Sequence, residues 1–77
     1  MFNSLLEKLR HKIDLIDTEI LSMMADRMNV AREIGEYKKE HNMTILQVKR
    51  WEEILRTRTK LGVEQELTPE FVAKMYE

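Results

Sequence analysis

Residues 4–41 read SLLEKLRHKIDLIDTEILSMMADRMNVAREIGEYKKEH, and this stretch decides the fold. Leu6, Ile13, Ile20, Arg27, Ile34 and His41 form one column at seven-residue spacing. Leu9, Ile16, Met23, Val30 and Tyr37 form its partner column, so the seam positions alternate three and four apart, as on one face of a long α-helix. The segment contains no proline and a single glycine, Gly35. Asn3 or Ser4 can cap its start, with Glu7 completing a capping-box pattern after Ser4. Asn42 tolerates the left-handed conformation of a helix end. The pattern predicts helix 1 over residues 4–41.

Arg27 is the misfit in this seam. A guanidinium in a packed apolar layer must find anions or reach water, because a buried unpaired charge is too costly to keep. A polar residue in a seam can also fix register or oligomeric state, so both readings stand for Arg27.

Working outward, the remaining 36 residues predict two shorter helices, over about 48–61 and 68–77. Gly62 is expected to end the second, and residues 42–47 form the first loop. Thr68 before Pro69 is a strong helix start, a capping hydroxyl followed by a residue whose missing N–H is not needed there. The fold class is therefore all-α, with three helices. A helix of residues 4–41 is roughly 57 Å long, whereas a compact chain of this size has a diameter near ~30 Å. The rest of the chain cannot cover it, so the two long helices are expected to pack antiparallel in an intertwined homodimer.

The composition agrees. A chain of 77 residues is a single domain near the lower limit of independent stability. It has no cysteine, which removes disulfides and thiolate metal sites and makes a reducing cytoplasm the expected setting. Thirteen basic against fourteen acidic residues leave a net charge of −1, which argues against a general grip on nucleic acid. No run approaches the ~20 apolar residues of a membrane span, and residues 1–6 lack the apolar core of a signal peptide. Any anion site must be local.

The cations worth weighing on helix 1 are Arg10, Arg27 and Lys38. Arg27 and Lys38 are eleven residues apart, which returns to within about 20° of the same face and separates them by ~16 Å along the axis. Long side chains leaning together can enclose a small anion between them. Arg10 lies seventeen residues before Arg27, ~25 Å away and about 100° round the helix, so it can join that site only from the other subunit of an antiparallel pair. Taken singly, Lys38 and Arg10 read first as chains that bury their stems and leave the charge in water.

His11 and His41 lack metal-ligand spacing and read as solvated, and Met23, Met24 and Met28 read as adaptable packing. Lys49 and Arg50 open the second helix, where cations oppose the helix dipole. Trp51 reads as an anchor for that helix against the first, with Ile54 and Leu55 at helical spacing. Glu52 and Glu53 read as a solvated face, with Glu52 able to pair with Arg56. No nucleophile with a base, glycine-rich phosphate loop or metal cluster can be assembled, so any catalysis here works by positioning and electrostatics, without a cofactor.

Residues 9–17 (LRHKIDLID), Arg27, residues 33–38 (EIGEYK), Arg50 and residues 67–72 (LTPEFV) together resemble the all-helical chorismate mutases in order and spacing. The resemblance covers essentially the whole chain. It implies a three-helix protomer in an intertwined dimer with two shared active sites, where chorismate, a dicarboxylate, rearranges to prephenate on the route to phenylalanine and tyrosine. By the same resemblance, Arg27 and Lys38 of one chain act as catalytic residues. Arg27 holds a substrate carboxylate, and Lys38 meets the ether oxygen and a carboxylate. Arg10 from the other protomer and Arg50 complete the cationic lining as substrate-binding residues. Gly35 occupies the family's glycine position, one turn before Lys38. The family also implies fusion to, or association with, a DAHP synthase.

The chain departs from the family pattern at three points. Gln47 stands where an acidic residue is frequent, and its amide can still bond the ring hydroxyl. Trp51 stands where glutamate commonly follows the arginine. The last helix stops at Glu77, before the position where family members carry a glutamine or glutamate facing the ether oxygen, so the expectation is a shortened last helix and weak activity. Two rival readings remain. One is an isochorismate pyruvate-lyase on the same scaffold, and the other is a non-catalytic dimerisation or regulatory module of a shikimate-pathway enzyme in which Arg27 sets register.

Overall fold

The structure is a computed structural model and describes residues 4–44 and 47–77. Three helices follow one another, α1 over Ser4–Glu40, α2 over Val48–Glu64 and α3 over Pro69–Met75, with no strand among the described residues. The all-α expectation holds. Residues up to Met43 and residues from Thr44 onward form two units, each described by itself.

α1 runs 37 residues without a break, about 55 Å at the helical rise. Glu7 in the first turn and Lys38 and Lys39 in the last complement its dipole. Asn3, one of the two expected caps, lies outside the described residues, and Ser4 is the first helical residue. The helix stops where the sequence suggested. Asn42 takes φ 53°, its N–H bonds to the Lys39 carbonyl at 3.3 Å, and the Met43 N–H bonds to the Lys38 carbonyl at 2.7 Å. That is a Schellman end with asparagine in the left-handed position.

No residue of α1 is buried. Ile13, Ile16 and Ile34, all in the seam columns, keep 58%, 54% and 50% of their surface exposed.

The second unit is a hairpin of α2 and α3. Here one boundary is corrected. Gly62 does not end α2; the helix continues through it to Glu64. Gly62 is buried and faces Val72 of α3, which is 2% exposed. A Cβ added to Gly62 would overlap the Cγ2 of Val72 and sit 3.6 Å from its Cβ and 3.8 Å from the Leu67 Cβ. The glycine thus permits close approach of two helices rather than a stop. The actual stop lies at Glu66, with φ 65°, where the N–H groups of Glu66 and Leu67 bond to the carbonyls of Val63 and Gly62 at 3.0 and 2.9 Å. α3 opens as expected, with the Thr68 hydroxyl accepting the Phe71 N–H at 3.1 Å and Pro69 at the first helical position. Its regular part ends at Met75, two residues short of the sequence reading.

Candidate anion site

Arg10, Arg27 and Lys38 all lie on the unbroken α1, so the angular argument holds for the backbone. Arg27 and Lys38 share a face within about 20°, and Arg10 stands ~25 Å from Arg27 along the axis. Arg10 and Arg27 are exposed. Lys38 differs, because it and Gly35 are the α1 residues that are half-buried while the rest of the helix is exposed.

The last turn of α1, where Lys38 lies, is closed by contacts between Tyr37 and His41. The Tyr37 carbonyl accepts the His41 N–H at 3.1 Å and also lies 2.8 Å from His41 Nδ1, which must therefore carry a proton to donate. The rings of Tyr37 and His41 stack with centroids 4.0 Å apart. His41 is exposed, as expected, but it is also part of the cap that precedes Asn42. A Cβ at Gly35 would meet nothing within 4 Å, so no described neighbour requires a glycine there.

On α2, Gln47 and Arg50 lie in one turn. Gln47 is the N-cap residue, with extended backbone and no side-chain bond to the helix, so its amide is not spent on capping. Its carbonyl accepts the Trp51 N–H at 3.1 Å. Arg50 forms an ion pair with Glu53, both about half exposed. This partner was missed in the sequence, where Glu53 read as solvated; the i to i+3 spacing was the available signal. The pairing of Glu52 with Arg56 is not made among the described residues. Ile54 and Leu55 are half-buried, while Trp51 keeps 37% of its surface exposed.

The structure therefore places Arg27 and Lys38 about three turns apart on α1, and Gln47 and Arg50 within one turn at the start of α2. It does not bring Arg10 to the α1 pair within one chain. A shallow depression bordered by Ser4, Glu7, Lys8, His11 and Lys12 contains none of these residues. Its lining lies on one face of a single helix, so it has no opposing wall to hold a ligand.

What such a site can do follows from its charges. Arginine offers planar paired donors to a carboxylate and lysine a compact ammonium, so the set suits a small anion with more than one acidic group. No group in the set is an evident nucleophile, which leaves orientation and charge stabilisation as its chemistry.

Comparison with known proteins agrees with this chemistry. The family described as chorismate mutase type II matches residues 9–77. A 4-amino-4-deoxychorismate mutase of Streptomyces pristinaespiralis is 25% identical over 72 residues, covering 94% of this chain and 56% of that protein. The chain thus spans about half the length of the curated relative it matches. No solved structure matches. With the family match running through all three helices and both pairs of candidate residues, the chain belongs to the chorismate mutase type II family, a family of isomerases.

Proposed function

We propose that this protein catalyses the [3,3] rearrangement of chorismate to prephenate in a homodimer with two shared sites. The observation that carries the reading is the placement of Arg27 and the half-buried Lys38 on one face of an unbroken helix, in a chain of this family. The reaction is unimolecular. The ether C–O bond breaks as a new C–C bond forms, the three electron pairs shift within the substrate, and no proton or external group is transferred.

Catalysis then requires the chair-like conformer to be held and the charge growing on the ether oxygen to be met. Arg27 holds one carboxylate, Arg10 of the partner subunit holds another, and Lys38 faces the ether oxygen. The last contact strengthens as the bond breaks, so it lowers the barrier rather than only tightening binding. Arg50 and Gln47 complete the lining, the latter with an amide that can donate or accept at the ring substituent. The homodimer is supported by the length of α1 and its exposed apolar columns. A cytoplasmic setting fits the absence of cysteine, and no helix of the described residues is long and apolar enough to cross a membrane. Association with a DAHP synthase belongs to the same reading.

The relative's name supplies a second substrate, the same skeleton with an amino group in place of the ring hydroxyl. Gln47 suits either group. Turnover of chorismate, 4-amino-4-deoxychorismate and isochorismate by the purified chain decides the matter. Prephenate from chorismate, lost in Lys38→Ala with helicity intact, is the expected result. Pyruvate from isochorismate without prephenate from chorismate would reject it in favour of a lyase, and no turnover of any of the three would favour a non-catalytic module.

A further inference from the structure

Gln47 sits on a face of α2 that carries positive charge and no negative charge. As the N-cap it is exposed, and its side chain makes no bond to the helix. At about 100° per residue, Arg50, Trp51, Ile54, Arg58 and Leu61 all lie within about 60° of Gln47 round the helix. The acids of α2 lie elsewhere. Glu52, Glu53 and Glu64 stand about 100–140° away, and the first turn contains no acidic residue. The Glu53 carboxylate is also engaged, by the Arg50 guanidinium. Arg58, half-buried on the Gln47 face, donates to the Thr57 hydroxyl at 2.9 Å. This face therefore offers a ligand two guanidinium groups, an indole ring and one neutral amide, but no carboxylate.

A hydroxyl and an amine on the substrate ring fare differently against such a face. The hydroxyl has one O–H to donate and lone pairs that accept, and the two ends of the Gln47 amide satisfy both. A primary alkyl amine is mostly ammonium at pH 7, with three N–H donors and nothing that accepts. The Gln47 carbonyl takes one of the three, and the other two find only donors of like charge on this face. The positive end of the α2 dipole has the same sign. Trp51 acts the other way, because an indole face attracts a cation by roughly two- to fivefold in affinity at an exposed site. Donors left unpaired cost about five- to 150-fold, and charged ones more, so the unpaired ammonium decides the balance.

We infer that this chain selects the ring hydroxyl and rejects the amino analogue, because the Gln47 face of α2 carries no carboxylate. The inference rests on the site proposed above, in which Gln47 meets the ring substituent. The Gln47 amide alone can bond either group, and the charges around it supply the choice. In this the chain parts from its Streptomyces relative, whose name gives the amino compound as substrate.

The test compares kcat/KM for chorismate and for 4-amino-4-deoxychorismate on the purified full chain at pH 7. Chorismate should be favoured at least about tenfold. Gln47→Glu, of nearly the same size and shape, places a carboxylate beside the substituent and should move the ratio at least about tenfold toward the amino substrate. Glu52→Gln, on the far side of α2, should leave the ratio unchanged. Use of the amino substrate as well as or better than chorismate by the parent chain would overturn the inference while leaving mutase activity in place; loss of that use in Trp51→Leu would identify the indole as the cation's seat. A ratio that Gln47→Glu does not move, or that Glu52→Gln moves as far, would overturn it too. Turnover of neither substrate overturns the proposed function and this inference with it.

Discussion

Gly62 of α2 and Val72 of α3 approach so closely that any β-carbon on residue 62 would overlap the valine methyl. They are the two fully buried residues among those described, so this contact is the centre of the α2–α3 hairpin. Gly62→Ala gains up to ~1 kcal/mol of helix propensity but incurs overpacking of about 1–3 kcal/mol. The expected outcome is a lower melting temperature by circular dichroism. Val72→Ala removes the obstructing methyls, so adding Gly62→Ala to it should cost little, and the double-mutant cycle should show coupling. A Gly62→Ala chain that melts at or above the parent temperature would refute the close-packing account.

Glu66 holds a left-handed backbone, φ 65°, to close the end of α2. A side-chain-bearing residue pays about 1–2 kcal/mol for that conformation, which glycine largely avoids. Glu66→Gly should therefore stabilise the hairpin by about 1 kcal/mol, raising the melting temperature by about 4–8 °C. A lower melting temperature would mean that the glutamate side chain makes a contact worth more than the strain.

The contrast between Asn42 and Glu66 shows what the sequence could and could not reveal. Both close a helix in the same left-handed conformation. Asn42 was legible because asparagine favours that region, whereas glutamate carries no such mark and Gly62, four residues earlier, gave a false stop. Thr68 and Pro69 were legible because their roles are local. That Arg27 and Lys38 fall on one continuous helix was legible for the same reason, since it depends on the periodicity of residues 4–41 alone. Gly62 was misread because its role depends on Val72, ten residues on and across a turn. The Arg50–Glu53 pair was hidden by competition among several equally spaced charges on α2.

Glu53 competes with any ligand for Arg50. The pair is about half exposed on each side and so is worth roughly 0.2–1 kcal/mol. If Arg50 lines the substrate site, Glu53→Gln should release it and lower KM for chorismate by about 1.4- to 5-fold, with kcat little changed. A raised KM would mean instead that Glu53 orients Arg50 toward the substrate.

Arg10 and Lys38 stand twenty-eight residues apart on one straight helix, about 42 Å, so they cannot serve one small ligand from the same chain. Arg10→Ala and Lys38→Ala should each lower turnover by about 100-fold or more when tested alone. Mixed and allowed to exchange subunits, they should recover activity. Random pairing makes half of the dimers mixed, and each mixed dimer has one site with both defects and one with neither, so the expected recovery is about a quarter of the parent rate. Arg27→Ala mixed with Lys38→Ala is the decisive control. In the proposed site those two residues come from the same chain, so every site in that mixture would lack one of them and activity should stay low. Recovery in both mixtures, or in neither, would place Arg10 outside a site shared between subunits.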